Sequence, residues 1–376
     1  MKRSNLLITI LIVGALIVIG FLLFAGESKK ETNSKIKIAA TIFPLYDIAK
    51  NISGDRATVV SIVPPSASPH TYEVTPEKVK KLQDTNVVFK IGHGADDWAD
   101  NLSESISNVE IITADKNIPL KKFGEEYKNE NDNIYENICL EHSGKWLKEY
   151  NECEDLNQNV CEEYGGEYID CASACRHNPS AEVCVEVCVA VCKFEYKESN
   201  NDIDREHGEY DPHYWLSIEN AKIIAKNITD KLKELDPASA SVFQKNLDNY
   251  QDRLVNLKKE SEAKVKNLSS NILVTTHNAW SYFADEFNLE TVGTFQASPG
   301  KEPTPQELTE LQELIEKHNV QALFSEPQLS EAVLKPFADD TGLKIYVLDP
   351  LGGSDNRNSY LEMIQYNVDT IYNALR

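Results

Sequence analysis

The stretch Asp211-Pro212-His213-Tyr214-Trp215-Leu216-Ser217 divides the chain. Ser217 is placed to cap the helix that follows it, and His213 stands just in front of that helix. Upstream, Lys35–Thr41 reads as a strand and Leu45–Asn51 as a helix, with further strands at Thr58–Val63, Val87–Ile91 and Val109–Thr113. Between them Thr75-Pro76-Glu77 opens a helix: Thr75 as N-cap, Pro76 at the first helical position, an acid in the first turn. Short β-rich runs alternating with helices predict a largely parallel sheet.

Downstream the helical period takes over. Ile223, Ile224, Ile228, Leu232 and Leu235 form one apolar stripe. Asp236-Pro237 breaks it, and Phe243, Leu247, Tyr250, Leu254 and Leu257 renew it. A continuous helix over 237–268 would reach ~48 Å at ~1.5 Å per residue, the length of a strut between two lobes. The α/β alternation then returns. Strands are expected at Ile272–Thr276, Glu290–Thr294, Val320–Phe324 and Leu343–Leu348. Helices are expected at Ala279–Phe287, Gln306–His318, Ser330–Asp340 and from about Ser359 to Leu375. The expected fold class is α/β: two lobes with mostly parallel sheets joined by a long rigid helix. Residues 35–124 with 206–236 form the N-terminal lobe, 237–268 the connecting helix and 269–376 the C-terminal lobe.

The alternation stops near Leu120, and an acidic, polar insertion at 125–205 takes its place. All eight cysteines fall there: Cys139, Cys153, Cys161, Cys171, Cys175, Cys184, Cys188 and Cys192. An even count in an exported segment implies disulfides, although spacing does not give their pairing. The rival, a thiolate metal cluster, lacks CxxC spacing. Cys171 and Cys175 are four apart, as are Cys184, Cys188 and Cys192, which would place thiols on one face of a helix and predicts a small disulfide-stapled helical hairpin. Two octets, Cys139–Trp146 and Cys161–Tyr168, share Cys, Glu, Gly and an aromatic residue at equivalent places, the mark of a small internal duplication.

Lys2 and Arg3 precede an apolar run from Leu6 to Gly26 in which only Thr9 is polar. Such a run is long enough to span a bilayer, with the basic end inside. Residues 1–26 are expected to be a membrane anchor, or a signal peptide if cleavage occurs near Phe24-Ala25-Gly26; 27–34 is a tether. Either way the remainder lies outside the cytoplasm, anchored to the membrane or released. No cysteine stands at the end of the run to carry a lipid.

The net charge of -22 argues against a nucleic-acid partner, whose phosphates need basic surfaces, and fits a cation ligand. Residues 125–211 hold 23 Asp/Glu against 7 Lys/Arg, a balance of -16, so most of the excess lies in the insertion.

Three residues outside the opening stretch share one placement. His70 lies in a loop after a strand, while His277 and Asp349 directly follow strands. Ligands of α/β sheets bind beyond the carboxyl ends of strands, so these residues and His213 can converge on one cleft. Three imidazoles and a carboxylate suit a borderline divalent ion such as zinc. His93, after another strand, is a candidate for the cleft rim.

These motifs carry a resemblance. Ser68-Pro69-His70-Thr71-Tyr72-Glu73, Asp211-Pro212-His213-Tyr214-Trp215-Leu216, Thr275-Thr276-His277-Asn278-Ala279-Trp280, Phe324-Ser325-Glu326-Pro327 and Leu348-Asp349-Pro350-Leu351-Gly352 occur in the order seen in ZnuA-like proteins. That family comprises the zinc/manganese-specific substrate-binding proteins of ABC importers. The resemblance covers 35–120 and 205–376. It implies His70, His213 and His277 as imidazole ligands, Asp349 as the carboxylate ligand, and Glu326 as a cleft-lining structural acid. It further implies Zn²⁺ as the cargo, with Mn²⁺ as the alternative, and a permease as the partner. Many zinc members carry a histidine-rich loop where this chain has its cysteine-rich insertion, which holds only His142 and His177, with His207 just beyond it. No enzymatic activity is expected. A zinc hydrolase would need a metal-bound water and a general base, and neither HExxH nor Gly-x-Ser-x-Gly occurs. A third reading makes the cysteine-rich module an adhesin or interaction surface.

Overall fold

Four short apolar runs build the first sheet: β1 (Ile36–Ala40), β2 (Ala57–Ser61), β3 (Val87–Lys90) and β4 (Glu110–Thr113). All pair in parallel, in the order β2-β1-β3-β4. Central β3 is buried along its whole length, as expected for a strand covered on both faces. Helix α1 (Phe43–Ser53) and helix α2 (Pro76–Lys81) make the first crossovers, and the Thr75 hydroxyl accepts the Lys78 amide as its cap. The computed structural model describes residues 35–376 apart from 66, 123–134, 137, 148–149, 151, 165, 174, 178–187, 195–207, 296–302 and 329–330. The run Leu6–Gly26, the tether 27–34, Cys184 and His207 lie outside the described residues. Among the described residues no helix is long and apolar enough to cross a membrane.

The insertion differs from expectation. It is an antiparallel sheet, order β5-β6-β8-β7, formed by β5 (Lys145–Leu147), β6 (Glu152–Glu154), β7 (Glu167–Ser173) and β8 (Cys188–Lys193), with the short helix α3 (Gln158–Glu163). The helical hairpin is therefore corrected. Residues four apart share a face in a strand as well as in a helix, and the β-branched Val189 and Val191 and the aromatic Tyr168 favour the strand. Disulfides join Cys139 to Cys153, Cys161 to Cys192 and Cys171 to Cys188, and Cys175 is also disulfide-bonded.

The two octets fold alike. The Gly144 amide donates to Cys139 O at 2.7 Å, and the Gly166 amide to Cys161 O at 2.8 Å. A Cβ on Gly144 would stand 2.3 Å from Cys153 Sγ, and one on Gly166 2.3 Å from Cys192 Sγ. Only glycine lets each disulfide seat there. Trp146 then pairs with Cys153, Tyr168 with Cys192, and Cys153 with Cys192 across the sheet centre. That row is an approximate two-fold arrangement, as a duplicated unit would produce. The stem closes where Lys122 pairs with Tyr210 and the Asp211 amide donates to Lys121 O at 2.8 Å.

Beyond the stem come α4 (Ile218–Leu235), capped by Ser217, and α5 (Ala240–Val265). Helix α5 spans ~39 Å at ~1.5 Å per residue. It buries Phe243, Leu247, Tyr250, Leu254 and Leu257 against its neighbours, so the strut has the expected stripe but ends at Val265. The second sheet repeats the first in order and direction. Strands β9 (Ile272–Thr275), β10 (Glu290–Thr294), β11 (Ala322–Ser325) and β12 (Lys344–Val347) lie β10-β9-β11-β12, all parallel. Helices α6 (Ser281–Phe287), α7 (Pro305–Lys317), α8 (Glu331–Thr341) and α9 (Tyr360–Leu375) complete it. A capping box between Thr304 and Glu307 starts α7.

Each sheet has a buried cluster of its own on one face, around Val88 and Leu102 in the first and Leu323 and Leu311 in the second, and the other faces share one core. One buried apolar cluster runs from Ile38 and Phe89 through Leu254 to Leu273, Phe324 and Ile364. Polar bonds tie the same junction. The Tyr360 amide donates to Asp47 Oδ2 at 2.9 Å, so a carboxylate of α1 sits at the positive end of α9. Tyr360 Oη donates to Trp215 O at 2.9 Å, and Trp215 Nε1 donates to Pro350 O at 2.7 Å. The opening stretch is thus the bolt between the lobes.

Candidate metal centre

His70, His213 and His277 meet at the junction. His70 sits on a single 3-10 turn, Pro69–Thr71. Its loop is held by Trp98, whose Nε1 donates to Pro69 O at 3.0 Å and whose indole packs on Tyr72. His213 begins the 3-10 turn His213–Leu216. Asp211 Oδ1 accepts the His213 amide at 2.9 Å, an Asx turn that aims the imidazole. His277 leaves β9 at the point where strand order reverses between β9 and β11, the usual place for a ligand in such sheets.

His213 Nδ1 lies 2.8 Å from Asp211 Oδ1, and His277 Nδ1 lies 2.8 Å from Glu326 Oε1. An ionised carboxylate only accepts, so each Nδ1 is the donor and each Nε2 presents its lone pair. Those lone pairs point at one another. Nε2 of His213 stands 3.3 Å from Nε2 of His70 and 3.3 Å from Nε2 of His277. Donors at about 2.05 Å from a tetrahedral ion stand about 3.3 Å apart, the spacing of a zinc site with nitrogen ligands. Among the described residues, these three form the group that could hold a metal ion. The cavity beside them has a volume of about 20 Å³. That volume is enough for an ion or a water.

Charge agrees with geometry. Asp211, Glu326 and Asp349 are buried around the site, as is Arg357. Three buried carboxylates against one buried guanidinium make the surroundings of the imidazoles anionic, which favours a cation. Burial pushes the Asp211 carboxyl up to about 6, against the pull of the Ser281 hydroxyl, the His213 amide and the Lys121 ammonium. Ser281 Oγ donates to Asp211 Oδ2 from the other lobe.

The remaining expected residues lie outside this group. Glu326 is buried and supports the site: besides His277 it accepts Trp280 Nε1 at 2.9 Å. Asp349 does not join the three imidazoles. Its Oδ1 accepts the Leu351 and Gly352 amides and Gln328 Nε2, and its Oδ2 stands 2.8 Å from Arg357 Nε. His93 neither joins the group nor lines the cavity. It adopts φ 56° between Gly92 and Gly94, which turns it to Asp115 Oδ2 at 2.9 Å and against Tyr210 of the insertion stem. Sequence reasoning gave no role to Asp211, Arg357 or Gln328. For Asp211 a signal existed: an aspartate two residues before a candidate ligand is spaced for the Asx turn seen here.

Outer partners of metal-bound histidines commonly contribute 10–100-fold to affinity. Glu326→Ala is therefore expected to weaken divalent-metal binding by about that factor, read by competition against a chelating dye.

The family described as "ZnuA: Zinc-uptake complex component A periplasmic" matches residues 38–374. The metal ABC transporter substrate-binding lipoprotein SloC of Streptococcus mutans is 26% identical over 385 residues, covering 100% of this chain and 99% of SloC. The manganese ABC transporter substrate-binding lipoprotein PsaA of Streptococcus pneumoniae is 28% identical over 384 residues, again covering 100% and 99%. A crystal structure of ZnuA superposes with a TM-score of 0.63 at 21% identity, covering 91% of this chain and 100% of the other. The chain belongs to the ZnuA family of zinc-uptake component A proteins and is a metal-binding, substrate-binding protein of the ABC-transporter type.

Proposed function

We propose that this protein captures Zn²⁺ outside the cytoplasm through Nε2 of His70, His213 and His277 and delivers it to an ABC permease. The observation that carries the reading is the convergence of three imidazole nitrogens within 4.8 Å of one another, with His213 Nε2 3.3 Å from Nε2 of both His70 and His277, separations that suit nitrogen donors on tetrahedral zinc. Three nitrogens also suit zinc better than oxygen-preferring manganese, the metal in the name of PsaA. Three imidazoles leave one position of a tetrahedral ion to a water, and capture and delivery of the ion require no reaction there. The relatives are named lipoproteins, but the first cysteine here is Cys139. Membrane attachment is assigned instead to the run Leu6–Gly26, with release by cleavage as the alternative.

Elemental analysis of the protein purified without added metal tests the reading. One zinc per chain is expected; a metal content that survives loss of all three histidines would refute it. The cysteine-rich module lies outside the ligand set. Excising 125–205 across the Lys122–Tyr210 stem should leave zinc affinity unchanged, and loss of affinity would move the site into the insertion.

A further inference from the structure

Asp349 ends a strand at the cleft, is buried, and yet is committed elsewhere. Its Oδ2 and Arg357 Nε form an ion pair at 2.8 Å, with the two side chains 1% and 11% exposed; the contact is electrostatic, since Arg357 Nε makes no hydrogen bond. Arg357 is itself held: its guanidinium lies 4.6 Å over the Tyr366 ring, and its carbonyl accepts the Gly353 amide at 2.7 Å. Gly353 in turn has φ 83°, and a Cβ there would meet Phe43 and Pro65 at 2.8 Å, so the Arg357 loop is seated against the opposite lobe. Gln328, which lines the cavity, donates to Asp349 Oδ1 at 3.2 Å, so the carboxylate borders the site without entering the imidazole group.

We propose that Arg357 sets the metal preference of the site by withholding Asp349 Oδ2 from the ion. The inference rests on the three-histidine reading above. With Arg357 in place, the donors offered to the ion are three imidazole nitrogens, a set that zinc accepts and manganese binds poorly. Without Arg357 the anionic oxygen has no cationic partner at 2.8 Å and becomes available to the ion. A carboxylate oxygen improves the site for manganese more than for zinc. Loss of the guanidinium charge strengthens binding of both ions through the general field, so the informative quantity is the ratio of the two affinities.

The test compares wild type with Arg357→Gln, Arg357→Met and Arg357→Lys, titrating Mn²⁺ by electron paramagnetic resonance and Zn²⁺ by dye competition. Arg357→Gln and Arg357→Met should raise manganese affinity relative to zinc by about tenfold or more, the scale on which outer partners tune metal sites. Arg357→Met keeps an unbranched side chain against Tyr366, which guards against mere unfolding, and circular dichroism checks each variant. Arg357→Lys keeps the cation and should keep the wild-type ratio. The double variant Arg357→Gln/Asp349→Asn should lose the gain, because the oxygen that supplies it is gone. An unchanged ratio in the folded Gln and Met variants, or a gain that persists in the double variant, overturns the role of Arg357. A wild type that binds neither metal through its histidines refutes the underlying reading instead, so the two failures are distinguishable.

Discussion

Replacement of His277 by alanine is expected to reduce zinc affinity by more than the 10–100-fold that loss of an outer partner causes. His277 contributes one of three nitrogens within 4.8 Å of one another, and the two that remain leave half of a tetrahedral shell to water. The variant has a second effect. Glu326 is left buried with only Trp280 Nε1 among the two bonds that hold it, which costs about 1–3 kcal/mol of stability for an unmatched buried group. His70→Ala separates the two effects. His70 is half-buried on a surface turn, so its removal should weaken zinc binding comparably while the unfolding midpoint moves less. Isothermal titration and thermal melts on both variants provide the check. Wild-type affinity in either would remove that histidine from the ligand set.

The second large effect is structural. Trp215 is 1% exposed and packs in the core shared by both sheets. Its truncation to alanine is expected to cost about 3–5 kcal/mol, as for other large buried aromatics. The loss is compounded because Pro350 O, which accepts Trp215 Nε1 at 2.7 Å, is stranded at the junction. Denaturant unfolding should show a midpoint displaced far below wild type. The indole also packs 5.2 Å from the His213 ring, so metal affinity should fall with stability in this variant. An unchanged midpoint would mean that the two lobes are held together elsewhere.

Much of this was legible in the sequence. Both parallel sheets followed from the alternation of β-rich runs and capped helices, because Thr75 and Ser217 signal their helices through local hydrogen bonds. Convergence of His70 and His277 followed from their placement after strands, since parallel strands carry all their carboxyl ends to one edge, while His213 joins them from the start of its helix. What could not be read depends on partners distant in the chain. Cys188 and Cys192 fit one face of a helix or of a strand equally well, and pairing with β6 and β7 decides for the strand. Asp349 has the position expected of a ligand, and its ion pair with Arg357, eight residues later across a glycine turn, is not legible in the sequence. The glycines flanking His93 permit the left-handed turn that takes it to Asp115. A single strand end does not reveal that direction.

The central claim, that Nε2 atoms of three histidines hold zinc between the lobes, is tested most directly by X-ray absorption at the zinc edge of the purified protein. The prediction is a first shell of nitrogen at about 2.0–2.1 Å with the outer scattering of three imidazoles, reduced to two in His277→Ala. A shell of sulfur at about 2.3 Å would contradict it and place the metal on cysteine thiolates.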